Sequence, residues 1–132
     1  MFLIDRPRHQ SARRVADYLI DKRVRIKEPL HALFELTCAV QNEKMRRGPL
    51  KGNESITEER PLDIEYVSID MPFFSRYFDG SIPYLKAGDL IFVCYAKGEH
   101  GVLVTEDDKQ LKVATAAGVA VHRLESFLAA YV

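Results

Sequence analysis

An aspartate that opens an apolar helix, and a run of acids that follows an apolar strand, carry the chemistry most open to this chain. Asp89 stands between Ala87-Gly88 and Leu90-Ile91-Phe92-Val93, and Thr105-Glu106-Asp107-Asp108 follows Gly101-Val102-Leu103-Val104. In a parallel α/β fold both places lie near the carboxyl edge of the sheet, where ligands bind. Two carboxylates converging there suggest a divalent-cation site. Each also has a structural role open to it. Asp89 can cap its helix or charge its first turn, which stabilises by about 1 kcal/mol. Thr105 can cap the next helix, with the acids in its first turn. Three adjacent acids exceed what capping needs, and of them Asp107 is the better ligand candidate. Asp108 is the alternate if the turn is wound one residue differently.

A third carboxylate, Glu35, has apolar neighbours on both sides in Ala32-Leu33-Phe34-Glu35-Leu36. Burying an unpaired charge costs several kcal/mol, so a buried Glu normally has a partner or a metal. His31 and Asn42 share its helical face and would give it a polar rim; the alternative is a Glu on a narrow exposed stripe. His9, His31, His100 and His122 form no HxxxH or HxH pair, and GxSxG, Walker A and GxGxxG motifs are absent. Zinc, serine-nucleophile, P-loop and dinucleotide chemistry therefore lack support.

The elements that must position these residues follow from periodicity and breakers. Residues 11–22 predict an amphipathic helix with Ser11 as N-cap and Val15, Ala16, Leu19 and Ile20 on one face. A strand follows over 24–27, and Glu28-Pro29 breaks it and starts a helix over 30–43. That helix is mostly apolar, which predicts packing on more than one side. Residues 44–61, polar and holding Gly48-Pro49 and Gly52, predict a loop or flap. Then come a strand over 62–70, a helix over 71–78, a turn at Asp79-Gly80, a helix over 87–97 and a strand over 101–105. A helix over 107–117 ends at Gly118, followed by a strand over 119–122 and a helix over 124–131. Helices alternating with Val-, Ile- and Leu-rich strands indicate a parallel sheet covered on both faces.

At 132 residues, 47% hydrophobic and 29% charged, the composition is that of one ordinary globular domain spanning 1–132. No apolar run approaches the roughly 18–20 residues that span a bilayer, and Met1-Phe2-Leu3-Ile4-Asp5 is too short and too soon charged for a secretory signal. Cys38 and Cys94 each sit in an apolar stretch, without CxxC spacing, and read as small buried hydrophobes in a reducing cytoplasm. Zero net charge hides an asymmetry. Residues 1–52 hold 12 Lys/Arg against 6 Asp/Glu, a net of +6, and residues 53–132 hold 7 against 13, a net of −6. Cations that grip phosphates beside acids that grip metal would serve a nuclease, although charges also coat solvated faces in any protein.

On Glu-Pro-Leu-His-Ala-Leu-Phe-Glu-Leu-Thr-Cys-Ala-Val around Glu35, Ala-Gly-Asp-Leu-Ile-Phe-Val-Cys-Tyr-Ala at Asp89, and the strand, T-x-D turn, helix and strand of residues 101–121, the chain resembles the PIN-domain family, and within it the VapC-like toxin ribonucleases. The resemblance covers about residues 9–132. It implies a three-layer α/β/α sandwich with a mainly parallel central sheet. It also implies a Mg2+- or Mn2+-dependent endoribonuclease, often a homodimer and often neutralised by a small antitoxin. Glu35, Asp89 and Asp107 would hold the metal. Thr105 would orient the metal-bound water or an acidic neighbour, and Arg13, Arg14, Arg46 and Arg47 could hold the RNA backbone. One departure concerns the first strand, which in the family ends in a further Asp and is followed by a helix. Asp5 stands only four residues before His9, leaving no room for that helix. Either Asp5 is the ligand of a shortened domain, or residues 1–5 end the missing helix and the strand lies upstream; the second is preferred. The chain would then lack a metal ligand, and a PIN-like domain that binds RNA or protein without cutting is the alternative function.

Overall fold

In the computed structural model, residues 10–47 and 62–132 are described, the side chains of 43–47 excepted. Ten elements follow in order: α1 (Gln10–Asp21), β1 (Ile26–Pro29), α2 (His31–Arg47), β2 (Ile64–Val67), α3 (Met71–Tyr77), α4 (Ala87–Glu99), β3 (Val102–Val104), α5 (Asp108–Ala116), β4 (Ala120–His122) and α6 (Leu124–Tyr131). The class is α/β. The described strands pair two by two, β1 with β2 and β3 with β4. The chain divides into two compact units, Met1–Tyr66 and Val67–Val132.

In the first unit α1 buries Ala12, Val15 and Ala16, while Leu19 and Ile20 are half-buried. Ser11, expected as the cap, lies inside the helix, which already includes Gln10. Ile26 N donates to Asp63 O at 2.8 Å where β1 meets the approach to β2. Just outside, Arg25 pairs with Asp63 at 3.2 Å and with Glu65 at 3.7 Å. Pro29 does not start a helix, as its position after Glu28 predicts. It is the buried last residue of β1, a place its fixed φ and missing N–H allow. Burial pushes the neighbouring Glu28 carboxyl up.

Helix α2 reaches Arg47, so residues 44–47 of the predicted loop are helical; residues 48–61 lie outside the described residues. Packing on more than one side does not follow for it. Val40 is buried, but Phe34 is 70% exposed, and Leu33 and Cys38 are exposed too. Its apolar residues are spread around the helix rather than gathered in a stripe, so burying one face leaves others in solvent. Cys38 is thus not the buried hydrophobe expected. Cys94 is, and burial pushes its thiol up.

In the second unit β3 and β4 run parallel, with Val102, Leu103 and Val104 opposite Ala120, Val121 and His122, and α5 is the crossover between them. Gly118, at φ +80°, takes the left-handed turn that releases α5 into β4, as its place in the sequence predicts. Helix α4 packs against α3, α5 and β3 and buries Val93, Cys94 and Tyr95. Asp70 starts α3 by accepting from Phe73 N at 2.9 Å, with Pro72 in the first turn. That turn delivers Phe73 and Tyr77 to the core, where Tyr95 meets Tyr77 edge-on, ring centroids 4.9 Å apart.

Two contacts hold α3 to the far end of α4. Gly98 lets Tyr77 lie where a Cβ would come within 2.5 Å of its Cδ1. Beyond α3, Asp79 accepts from Lys97 Nζ at 2.6 Å and from Ser81 Oγ and N, and these partners hold its carboxyl well below the usual range.

In a helix, Gly→Ala ordinarily stabilises by about 1 kcal/mol. At Gly98 the buried Tyr77 ring, wedged between Phe73 and Tyr95, cannot step aside. Overpacking of about 1–3 kcal/mol then wins, and Gly98→Ala is expected to lower the urea midpoint. A second expectation concerns acid. A depressed carboxyl contributes stability that is full above its unfolded value of about 4 and is lost as pH falls through the folded one. Asp79→Asn is therefore expected to lower the melting temperature at neutral pH and to flatten its decline below about pH 4.

Candidate functional site

The turn from β3 to α5 leaves the carboxyl end of a parallel strand, and its residues are wound by one connected set of hydrogen bonds. Asp107, not Thr105, is the N-cap of α5: its Oδ1 accepts from Gln110 N at 2.7 Å. Thr105 Oγ1 accepts from Asp107 N at 3.1 Å and donates to Gln110 Oε1 at 2.6 Å. Gln110 Nε2 then reaches α4 and donates to the backbone oxygen of Asp89 at 3.1 Å. A single side chain thereby ties together the segments that carry Asp89 and Asp107.

Asp89 stands in the first turn of α4 and is half-buried; the N-cap position is Lys86, which makes no side-chain capping bond. Among the described residues, nothing donates to the Asp89 carboxylate. Asp107 is exposed, with Oδ1 engaged by the cap and no donor to Oδ2 among the described residues. These are hard oxygen donors of the kind Mg2+ and Mn2+ take.

The other acids of the turn have separate duties. Glu106 Oε1 accepts from Leu124 N at 2.9 Å and so caps α6. Asp108 Oδ1 is paired with Arg123 Nη2, and Arg123 Nη1 also donates to Glu106 O at 3.1 Å. The surplus of acids that suggested a ligand cluster is thus divided among two caps and an arginine. Asp108, the alternate ligand, has its Oδ1 committed to Arg123.

Glu35 lies in α2 with 57% of its side chain exposed and its Oε1 4.0 Å from His31 Nε2. The exposed-stripe alternative describes its surroundings, and His31 gives the expected polar neighbour. Arg13 is half-buried and Arg14 exposed on α1; Arg46 and Arg47 fall in the last turn of α2, their side chains outside the description. Asp5 lies outside the described residues. Among the described residues no three His, Cys, Asp or Glu side chains gather as a metal-holding group.

Sequence reasoning missed Gln110 and Arg123. In Asp-Asp-Lys-Gln-Leu-Lys, Gln110 reads as one more surface residue, yet it is 6% exposed and shares the buried face of α5 with Val113 and Ala114. Its spacing of three and four residues from those two was the available signal. Arg123 follows β4, and only the parallel pairing of β3 with β4 brings it to the acids.

Capping and ligation at position 107 are separable, because Asn caps as well as Asp. Asp107→Ala is expected to cost about 1 kcal/mol in urea unfolding, and Asp107→Asn only a few tenths. Comparison of the chain with protein-family models, with curated proteins and with solved structures finds no match.

Proposed function

We propose that the chain is a divalent-metal-dependent endoribonuclease of the PIN type, resembling the VapC-like toxins, built as a three-layer α/β/α sandwich. The observation that carries this reading is the joining of Asp89 and Asp107 through Gln110 beside the carboxyl end of β3. Asp89 offers a carboxylate with no other partner among the described residues, and Asp107 offers Oδ2. By the resemblance, Glu35 completes the set of carboxylates, with Asp5 as the candidate first-strand ligand.

Bound Mg2+ or Mn2+ would supply Lewis-acid polarisation of the phosphate and an activated water. The chain's own residues would do the holding. Asp89 and Asp107 supply negative charge, and Thr105 braces the backbone of Asp107 through its hydroxyl. Arg14, exposed on α1, and Arg13, Arg46 and Arg47 would neutralise RNA phosphates without reading sequence. A homodimer, a neutralising antitoxin protein and a cytoplasmic setting belong to the same proposal. No helix among the described residues is long and apolar enough to cross a membrane.

The test is manganese-dependent cleavage of single-stranded RNA by the purified chain. Asp89→Asn is expected to lower the rate by about 100-fold or more, since even residues behind the ligands cost about 10–100-fold. Full activity in the variant would sink the assignment. RNA binding without cleavage by the wild-type chain would favour a PIN-like domain that binds and does not cut.

A further inference from the structure

We propose that Tyr84 is a stacking platform for an unpaired RNA base, with Lys86, Lys109 and Lys112 as the cations that hold the adjoining phosphates. The inference rests on the RNA reading above but needs none of its metal chemistry. One exposed aromatic ring is ordinary on a protein surface. Tyr84 is set apart by how it is held and by what surrounds it.

At 80% it is the most exposed large hydrophobic side chain among the described residues. Its neighbours on both sides run the other way, for Ile82 and Leu85 are buried in the core of the second unit. Pro83 restricts the backbone between Ile82 and Tyr84. Asp79 holds Ser81 through both its N and its Oγ. The loop from α3 to α4 is thus pinned on either side of the ring it displays, and little ordering remains to oppose a ligand.

The second unit distributes its positive charge just as unevenly. Of its six Lys and Arg residues, Arg76, Lys97 and Arg123 each pair with an acid. Lys86, Lys109 and Lys112 have no acidic partner among the described residues. Those three fall around one ring. Lys109 Nζ stands 5.1 Å from the centroid of Tyr84, a cation–π contact. Lys112 is about one helical turn further along α5, and Lys86 follows Tyr84 closely at the N-cap position of α4. The exposure of Tyr84 is with Lys109 already in place, so surface for a base remains. Asp89 and Asp107, at the starts of the same two helices, repel a phosphate. Charge alone therefore gives this edge a weak grip on a polyanion, and the ring has to supply the rest. Every base has a π-face, so such a platform reads no sequence. In a duplex those faces are stacked away, so it selects single strands.

The test is fluorescence anisotropy of a labelled single-stranded RNA of about ten nucleotides, with EDTA present so that metal-dependent cleavage cannot intervene. Tyr84→Ala is expected to weaken binding by about 10-fold or more, and Tyr84→Phe, which keeps the ring, to stay within about twofold of wild type. Both substitutions lie at an exposed position, so the melting temperature is expected to hold. The wild-type slope of log affinity against log salt is expected to be about −2 for three lysines, and Lys109→Ala to make it shallower by about 0.7. The same strand annealed to its complement is expected to bind more weakly and to be indifferent to Tyr84→Ala. Wild-type affinity in Tyr84→Ala, or equal losses in the Ala and Phe variants, would overturn the platform and leave the RNA reading standing. Absence of strand binding by the wild-type chain would overturn the platform too, and the cleavage assay then shows whether the ribonuclease reading falls with it.

Discussion

Helix α4 is enclosed, and the second unit is organised around that constraint. Val93, Cys94 and Tyr95 are buried, and α3, α5 and β3 each pack against the helix. A helix covered on several sides can carry charge only where its ends emerge. At one end Asp89 stands in the first turn; at the other Lys97 and Glu99 reach Asp79 and Arg76. Asp89 is thus the single acid that this helix brings to the edge where β3 ends, and its backbone is a ready acceptor for a side chain arriving from α5. The aromatic wedge of Phe73, Tyr77 and Tyr95 and the close approach at Gly98 serve the same enclosure from the α3 side.

Much of the second unit was legible because its signals are local. Asp79-Gly80 as a turn, Gly118 as a stop and the order of helix and strand after Asp89 depend on neighbours within a few residues, and the elements begin and end within about two residues of expectation. The first unit was harder. Pro29 after Glu28 carries the signature of a helix start, but a strand end suits proline equally, and the pairing with β2 decides between them from more than thirty residues away. Ser11 has the chemistry of a cap without the position. In α2, apolar content suggested burial, whereas Phe34, Glu35 and Cys38 are exposed.

At the site, residue types were legible and their allegiances were not. The sequence favours Asp107 of the turn over Asp108 as a ligand, and the geometry gives these neighbours different work: one caps α5, the other pairs with Arg123. Arg123 is fifteen residues on in sequence and becomes adjacent only through parallel pairing of β3 and β4. Gln110 was overlooked because a polar letter among Lys109, Leu111 and Lys112 carries no mark of burial. Helical spacing to Val113 and Ala114 is a weak signal beside composition.

That the tie between α4 and the β3–α5 turn is an amide has a consequence for how the turn behaves across conditions. An ion pair in its place would loosen with salt and change charge with acid. The Gln110 side chain gains and loses no proton, and it is shielded from solvent. The one side chain that joins α4 to the turn therefore carries no charge of its own. The scaffold is indifferent to the ionic changes its carboxylates would report.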